Sequence, residues 1–171
     1  MVIAAKAIKY GDDVNTDYII AGKYTKTLNK SELAEHCMED LDPQFKAKCA
    51  SGGGFVVAGK YFGCGSSREQ APVALIESGI QCVVATTFSR IFYRSAINIG
   101  LPIVECDTSF INEGDELEYE LGGDTLTNKT TGVSKKVTPL PELMVSILEH
   151  GGMVPFIKKY GGFDRLSEKE Q

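Results

Sequence analysis

Several things are missing from this chain of 171 residues, and each absence removes a class of function. No apolar run approaches the roughly 20 residues that a membrane-crossing helix needs. The opening MVIAAKAIKYGDD has no basic segment followed by a long apolar one, so a secretory signal is not expected. Positive charge is not in excess. The net charge is −5, which speaks against a nucleic-acid partner. Five cysteines are present (Cys37, Cys49, Cys64, Cys82 and Cys106), but no two have C-x-x-C spacing. Neither a zinc site nor a set of iron–sulfur ligands is visible on this chain. Free, mostly buried thiols in a reducing cytoplasm are the plain expectation. Histidine is scarce: His36 and His150 fall on predicted helices far from the richest motif. A Ser–His–Asp hydrolase is therefore unsupported, and neither G-x-S-x-G nor a phosphate-loop G-K-[ST] occurs.

What remains is an ordinary globular composition, 43% hydrophobic and 24% charged, of a length suited to one domain over residues 1–171. Residues 2–9 read as a strand, GDDVNTD as a turn and AGKYTKTLN as a polar loop. Asn29 and Glu32 suit a capping pair for a helix over 31–40, and Asp42-Pro43 suits the start of another. From FVVAG onward the chain alternates strand, helix, strand, helix, strand as far as LPIVE. That order favours parallel pairing with right-handed crossovers. Between 110 and 138 the pattern changes to β-hairpins, and PELMVSILEHGG then reads as a helix between Pro141 and Gly151. A short helix near 153–160 follows, and the charged tail, 164–171, is expected to fray.

The richest stretch is YFGCGSSREQAP, residues 61–72. Ser66 and Glu69 form S-x-x-E, the signature of a capping box, and Gly63 and Gly65 loosen the backbone before it. A purely structural reading is thus available. A functional one uses the same geometry, because a helix N-terminus presents unpaired N–H groups and a positive dipole end to an anion. Arg68 in that first turn opposes the dipole, yet its guanidinium is well shaped to hold a carboxylate. Other residues invite blander explanations. Asp12, Asp13 and Asp17 fail the spacing of a calcium loop, and Cys64 has no base near it in sequence. Arg90 and Arg94 lie four apart on one helix face and are expected in salt bridges or a partner contact.

Three motifs, GDDVNTDYII, FGCGSSREQAP and FSRIFYRSAINIGLPIVE, together resemble the isopropylmalate dehydratase small-subunit family, swivelling domains related to aconitase. The similarity runs from about residue 2 to about residue 160. It implies an α/β fold of the swivelling β/β/α type, a mixed sheet flanked by helices with added β-hairpins. It also implies a hydro-lyase of leucine biosynthesis that acts only with a separate large subunit, as a heterodimer or heterotetramer. The four-iron four-sulfur cluster belongs to that partner, and none is implied here. By the family motif Ser66 is the base, Arg68 holds a substrate carboxylate, and Ser67 contacts the substrate. Thr16 and Asp17 lie beside the serine in family members and orient the site, which implies Asp17 as a catalytic residue and Thr16 as a substrate-binding one. Family members often have R-E-H where this chain has Arg68-Glu69-Gln70, a departure at a position that is not catalytic. The substrate-selecting loop of the family falls on Tyr24, Thr25, Lys26 and Thr27. Here the chain departs from both an apolar and an arginine-bearing pattern; the whole-chain similarity implies isopropylmalate as substrate, with homoaconitate or a 2,3-dialkylmalate such as dimethylmalate as the alternative. A non-catalytic binding module and a stand-alone hydrolase remain as other classes.

Overall fold

The computed structural model describes residues 1–27 and 29–162; the expected frayed tail lies outside the described residues. A seven-stranded mixed sheet organises the chain, in the order β4-β3-β2-β1-β5-β6-β7. Its strands are β1 (Val2–Lys9), β2 (Gly53–Ala58), β3 (Cys82–Ala85), β4 (Ile103–Glu105), β5 (Glu116–Glu120), β6 (Thr125–Asn128) and β7 (Ser134–Lys136). β1 to β4 pair in parallel, and β1 turns its other edge to β5 in antiparallel register, Ile3 facing Tyr119. β5, β6 and β7 continue as antiparallel hairpins. The change of period near residue 110 therefore marks the change from crossovers to hairpins.

The burial pattern follows this arrangement. β2 and β3 are buried at every residue, as parallel strands covered on both faces should be. β5 alternates, with Leu117 and Tyr119 inward, and the edge strand β7 is exposed throughout, its Lys135 and Lys136 discouraging further pairing.

Among the described residues seven helices complete the architecture: α1 (Thr16–Ile19), α2 (Lys30–Glu35), α3 (Phe45–Ala50), α4 (Gln70–Glu77), α5 (Arg90–Ile99), α6 (Glu142–Glu149) and α7 (Met153–Tyr160). The first five lie in the crossovers between parallel strands. α5 starts where Ser89 accepts the N–H of Phe92 at 3.2 Å and stops at Gly100, whose φ of 90° is left-handed. α2 is shorter than its expected span of 31–40. It ends at Glu35, and the chain turns through Met38, whose N–H reaches back to the Ile19 carbonyl at 2.9 Å. Asn29 does cap α2, by accepting the Ser31 N–H at 3.0 Å, but Glu32 does not complete a box with it. Glu32 accepts the Thr27 hydroxyl instead, at 2.7 Å. The sequence pattern anticipated neither α1 nor the 3-10 turn Gly22–Tyr24, because each is too short to show a helical period.

Candidate active site

The loops that leave β1, β2 and β3 at their C-terminal ends meet at one point. In open α/β sheets this end of the strands is where ligands bind. Residues 12–16 run alongside 60–66. The Asp13 N–H bonds the Lys60 carbonyl at 2.8 Å, that of Gly63 bonds Val14 at 2.8 Å, and that of Thr16 bonds Cys64 at 2.9 Å. The start of α5 supplies the third wall. Ser89 donates its hydroxyl to the Gly63 carbonyl at 2.7 Å, and its N–H to Phe62 at 2.9 Å. Phe62 is fully buried, with its ring edge-on to Phe92 at 5.1 Å between centroids. Burial of such a ring stabilises by about 1.5–3 kcal/mol and pins the chain one residue before the loop.

Two glycines make these approaches possible. Gly63 (φ 74°) lies so close to α5 that a Cβ would fall 2.3 Å from Phe92 Cβ. Gly65 (φ 90°) lies against Asn15, where a Cβ would fall 2.4 Å from Oδ1. Both positions combine left-handed backbone with no room for a side chain.

Ser66 and Ser67 stand exposed on this braced loop. The capping box predicted for Ser66 and Glu69 does not form. α4 begins at Gln70, after Glu69, and has no side-chain cap. The Ser66 carbonyl is instead held by the buried Thr16, whose hydroxyl donates to it at 2.8 Å. This keeps residues 66–69 out of the helix. Among the described residues neither serine hydroxyl has a hydrogen-bond partner, and the N–H groups of 66–69 are not taken up either. Two exposed serine hydroxyls thus sit beside backbone N–H groups that no described residue takes up.

Arg68 turns away from the helix axis. Its Nη2 lies 2.5 Å from Asp17 Oδ1, and its Nη1 donates to the Ile20 carbonyl at 3.1 Å. Gly22 packs under the guanidinium, where a Cβ would come within 3.1 Å of Nη2. The conflict with the helix dipole is thus relieved by an anion and a carbonyl on the neighbouring loop.

The other expected site residues divide. Thr16 was expected to contact substrate, but it is 2% exposed and its hydroxyl is committed to Ser66, so it positions the loop. Thr25 donates its hydroxyl to Gly22 at 2.8 Å, Thr27 bonds Glu32, and the Tyr24 ring stacks on His36 at 3.7 Å. Of these four loop residues only Lys26 is exposed, and it has no partner among the described residues. Cys64 is half-buried, and burial, with Asp13 nearby, pushes its thiol above the usual range, which does not suit a nucleophile. Asp12 is occupied with the Lys60 N–H at 2.7 Å and Asp17 with Arg68, so the three early aspartates form no common site. Arg90 and Arg94 are exposed and make no ion pair among the described residues. Sequence reasoning missed Asn15, Gly22 and Gln70. Only Asn15 left a signal, as a helix-capping residue before Thr16-Asp17.

A cleft of about 550 Å3 between α2, α3 and α4 is lined by Ser31, Lys46, Cys49 and Glu77, and not by the serine loop. Among the described residues no group of three or more His, Cys, Asp or Glu side chains could hold a metal ion. No described helix is long and apolar enough to cross a membrane.

Comparison with known proteins gives the family. Residues 13–108, which include Asp17, Ser66, Ser67 and Arg68, match the family described as the aconitase C-terminal domain. The 3-isopropylmalate dehydratase small subunit 2 of Archaeoglobus fulgidus is 50% identical over 162 residues, covering 94% of this chain and 98% of that protein. The small subunit of Caldicellulosiruptor bescii is 49% identical over 160 residues, covering 92% and 96%. A crystal structure of 3-isopropylmalate dehydratase from Methanocaldococcus jannaschii superposes with a TM-score of 0.88 at 41% identity, covering 100% of both chains. The chain therefore belongs to the aconitase C-terminal domain family, among its 3-isopropylmalate dehydratase small subunits.

Proposed function

We propose that this chain, docked on a large subunit, catalyses the reversible dehydration and rehydration of 3-isopropylmalate, with Ser66 as the base. One observation carries the assignment: an exposed, unbonded Ser66 hydroxyl on a braced loop, among free N–H groups and next to Arg68. A serine alkoxide needs such surroundings, because N–H donors and a guanidinium offset its charge. It takes the proton from the substrate carbon as the hydroxyl leaves the adjacent carbon, and Ser66 returns that proton on rehydration. Arg68 holds a substrate carboxylate, Asp17 aims Arg68, and Ser67 contributes a further hydroxyl. The large subunit's four-iron four-sulfur cluster, when bound, supplies a Lewis acid for the leaving hydroxyl. The described side chains of this chain form no thiolate cluster that fits such a group. Arg90 and Arg94, exposed on α5 and without an ion pair among the described residues, offer cations for the partner. The site belongs to a cytoplasmic leucine-biosynthetic enzyme, where free thiols persist.

Homoaconitate is the alternative substrate that a specific observation favours. Lys26 leaves an uncommitted ammonium in the selecting loop, which suits an additional carboxylate.

The test is reconstitution. Purified chain is mixed with a cluster-loaded large subunit and assayed against 3-isopropylmalate, homoaconitate and dimethylmalate. Activity should require both chains and be highest with isopropylmalate. Turnover by this chain alone would support a hydrolase-like or independent enzyme. A tight complex without turnover on any of the three would support a binding module. Iron and visible absorbance in the purified chain would contradict placement of the cluster on the partner.

A further inference from the structure

The selecting loop is tied down from two sides. On the catalytic side, Gln70, the first residue of α4, donates Nε2–H to the Thr25 carbonyl at 3.1 Å. Two residues earlier, Arg68 bonds the Ile20 carbonyl at 3.1 Å. One short stretch of chain thus grips the loop at its start and at the residue before Lys26. On the far side, the Tyr24 ring lies flat on His36, with 3.7 Å between centroids and 4° between planes. The imidazole is itself fixed, with Nδ1 2.7 Å from Glu39 Oε2. Thr27 closes the loop by donating to Glu32 at 2.7 Å and accepting the Asn29 N–H at 3.1 Å. Lys26 is the exposed residue between these anchors.

We propose that Gln70 and His36 are positioning residues for substrate choice: together they set the height and direction of Lys26 relative to Ser66 and Arg68. The proposal rests on the loop's role in selection. A loop of this length without side-chain anchors samples many backbone states, and ordering it on binding would weaken discrimination. Gln70 matters most, because it links the loop to the helix that follows the serines. A shift of the serine loop is then shared by the residue that reads the substrate's variable arm. His36 acts through its face, so a flat ring is what the position requires.

The test compares Gln70→Leu, Gln70→His, His36→Ala, His36→Phe and Lys26→Leu in the reconstituted complex. For each, kcat and KM are measured with 3-isopropylmalate and with homoaconitate. Loss of one hydrogen bond should change the ratio of the two kcat/KM values by about threefold to tenfold in Gln70→Leu, mainly through KM. Gln70→His, which can still donate to Thr25, should return the ratio to within about twofold of the unaltered protein. His36→Phe should keep the ratio and His36→Ala should not. In the isolated chain, trypsin should cut after Lys23 and Lys26 faster in Gln70→Leu and His36→Ala, with sites outside this loop unchanged. Faster cutting with an unchanged ratio would make these residues structural tethers only, and would overturn the proposal. If Lys26→Leu changes the ratio and Gln70→Leu does not, the proposal fails while the loop's role in selection stands. If neither changes it, the loop does not select and both fail.

Discussion

Arg68 and Asp17 are paired at 2.5 Å, although the Asp17 side chain remains 55% exposed and that of Arg68 only 19%. A half-exposed carboxylate is screened, so the pair contributes under about 1 kcal/mol to folding. Its use is directional. With Nη2 on Asp17 and Nη1 on the Ile20 carbonyl, the guanidinium is held in one orientation, and only its remaining N–H groups are left for a ligand. Arg68→Lys should keep the fold and raise KM by on the order of 10- to 100-fold, because a point charge cannot grip a carboxylate by two bonds. Asp17→Asn should lower kcat/KM while the thermal midpoint shifts by no more than a few degrees. Steady-state kinetics beside thermal melts checks both.

Ser66→Ala should reduce kcat by at least about 10²- to 10⁴-fold, as expected when the proton-abstracting group is removed. Its stability should stay within about 0.5 kcal/mol of the unaltered protein, because the hydroxyl has no partner among the described residues and does not cap α4. Denaturant titration and single-turnover assay separate the two effects. A rate within tenfold of the unaltered complex would remove Ser66 from the chemistry.

Thr16→Val keeps the shape of a buried side chain but deletes its bond to the Ser66 carbonyl. The cost should be about 0.5–1.5 kcal/mol, together with a lower kcat as the serine loop loosens. Thr16→Ser should restore the rate. Urea midpoints and turnover of the reconstituted enzyme test this, and equal rates in all three proteins would show that the loop needs no strap.

Lys26→Leu should raise kcat/KM for isopropylmalate relative to homoaconitate. An unpaired ammonium is costly to desolvate against an alkyl group, whereas leucine is not. Competition between the two substrates on one preparation reads the ratio free of assembly defects.

Asp42 connects the end of β1 to α3 and gives the stability an acid limb. Burial opposes its charge, but bonds from Lys48 (2.8 Å), Tyr10 (2.9 Å) and the Gln44 N–H (3.0 Å) outweigh it, so its carboxyl sits below the usual range. A depressed acid stabilises fully above its unfolded pKa, about 3.9 for Asp, and that contribution is lost as pH falls through the lower folded value. Melts from about pH 6 to about pH 2.5 should show this decline below about pH 4. Asp42→Asn should be less stable near neutrality and should show a shallower decline on acidification.

The strand and helix order was legible in the sequence wherever a period had room to repeat. β2, β3 and α5 are long enough to show runs or helical spacing, and Ser89 and Gly100 mark the ends of α5 chemically. The serine motif was legible as well, since glycine, serine and arginine side by side state what the loop can do. The wrong part was its local geometry. S-x-x-E predicts a cap only if nothing else competes for the backbone, and Thr16 competes from a different strand's loop. The pairings of Arg68 with Asp17, Gly65 with Asn15 and Gln70 with Thr25 all join residues far apart in the chain. Local propensity acts over a few residues, whereas these contacts exist only because β1 and β2 lie side by side and bring their following loops together. The sequence alone determined which chemical groups are present and the elements that carry them. Only the tertiary structure decided which groups face one another, because that depends on the register of neighbouring strands.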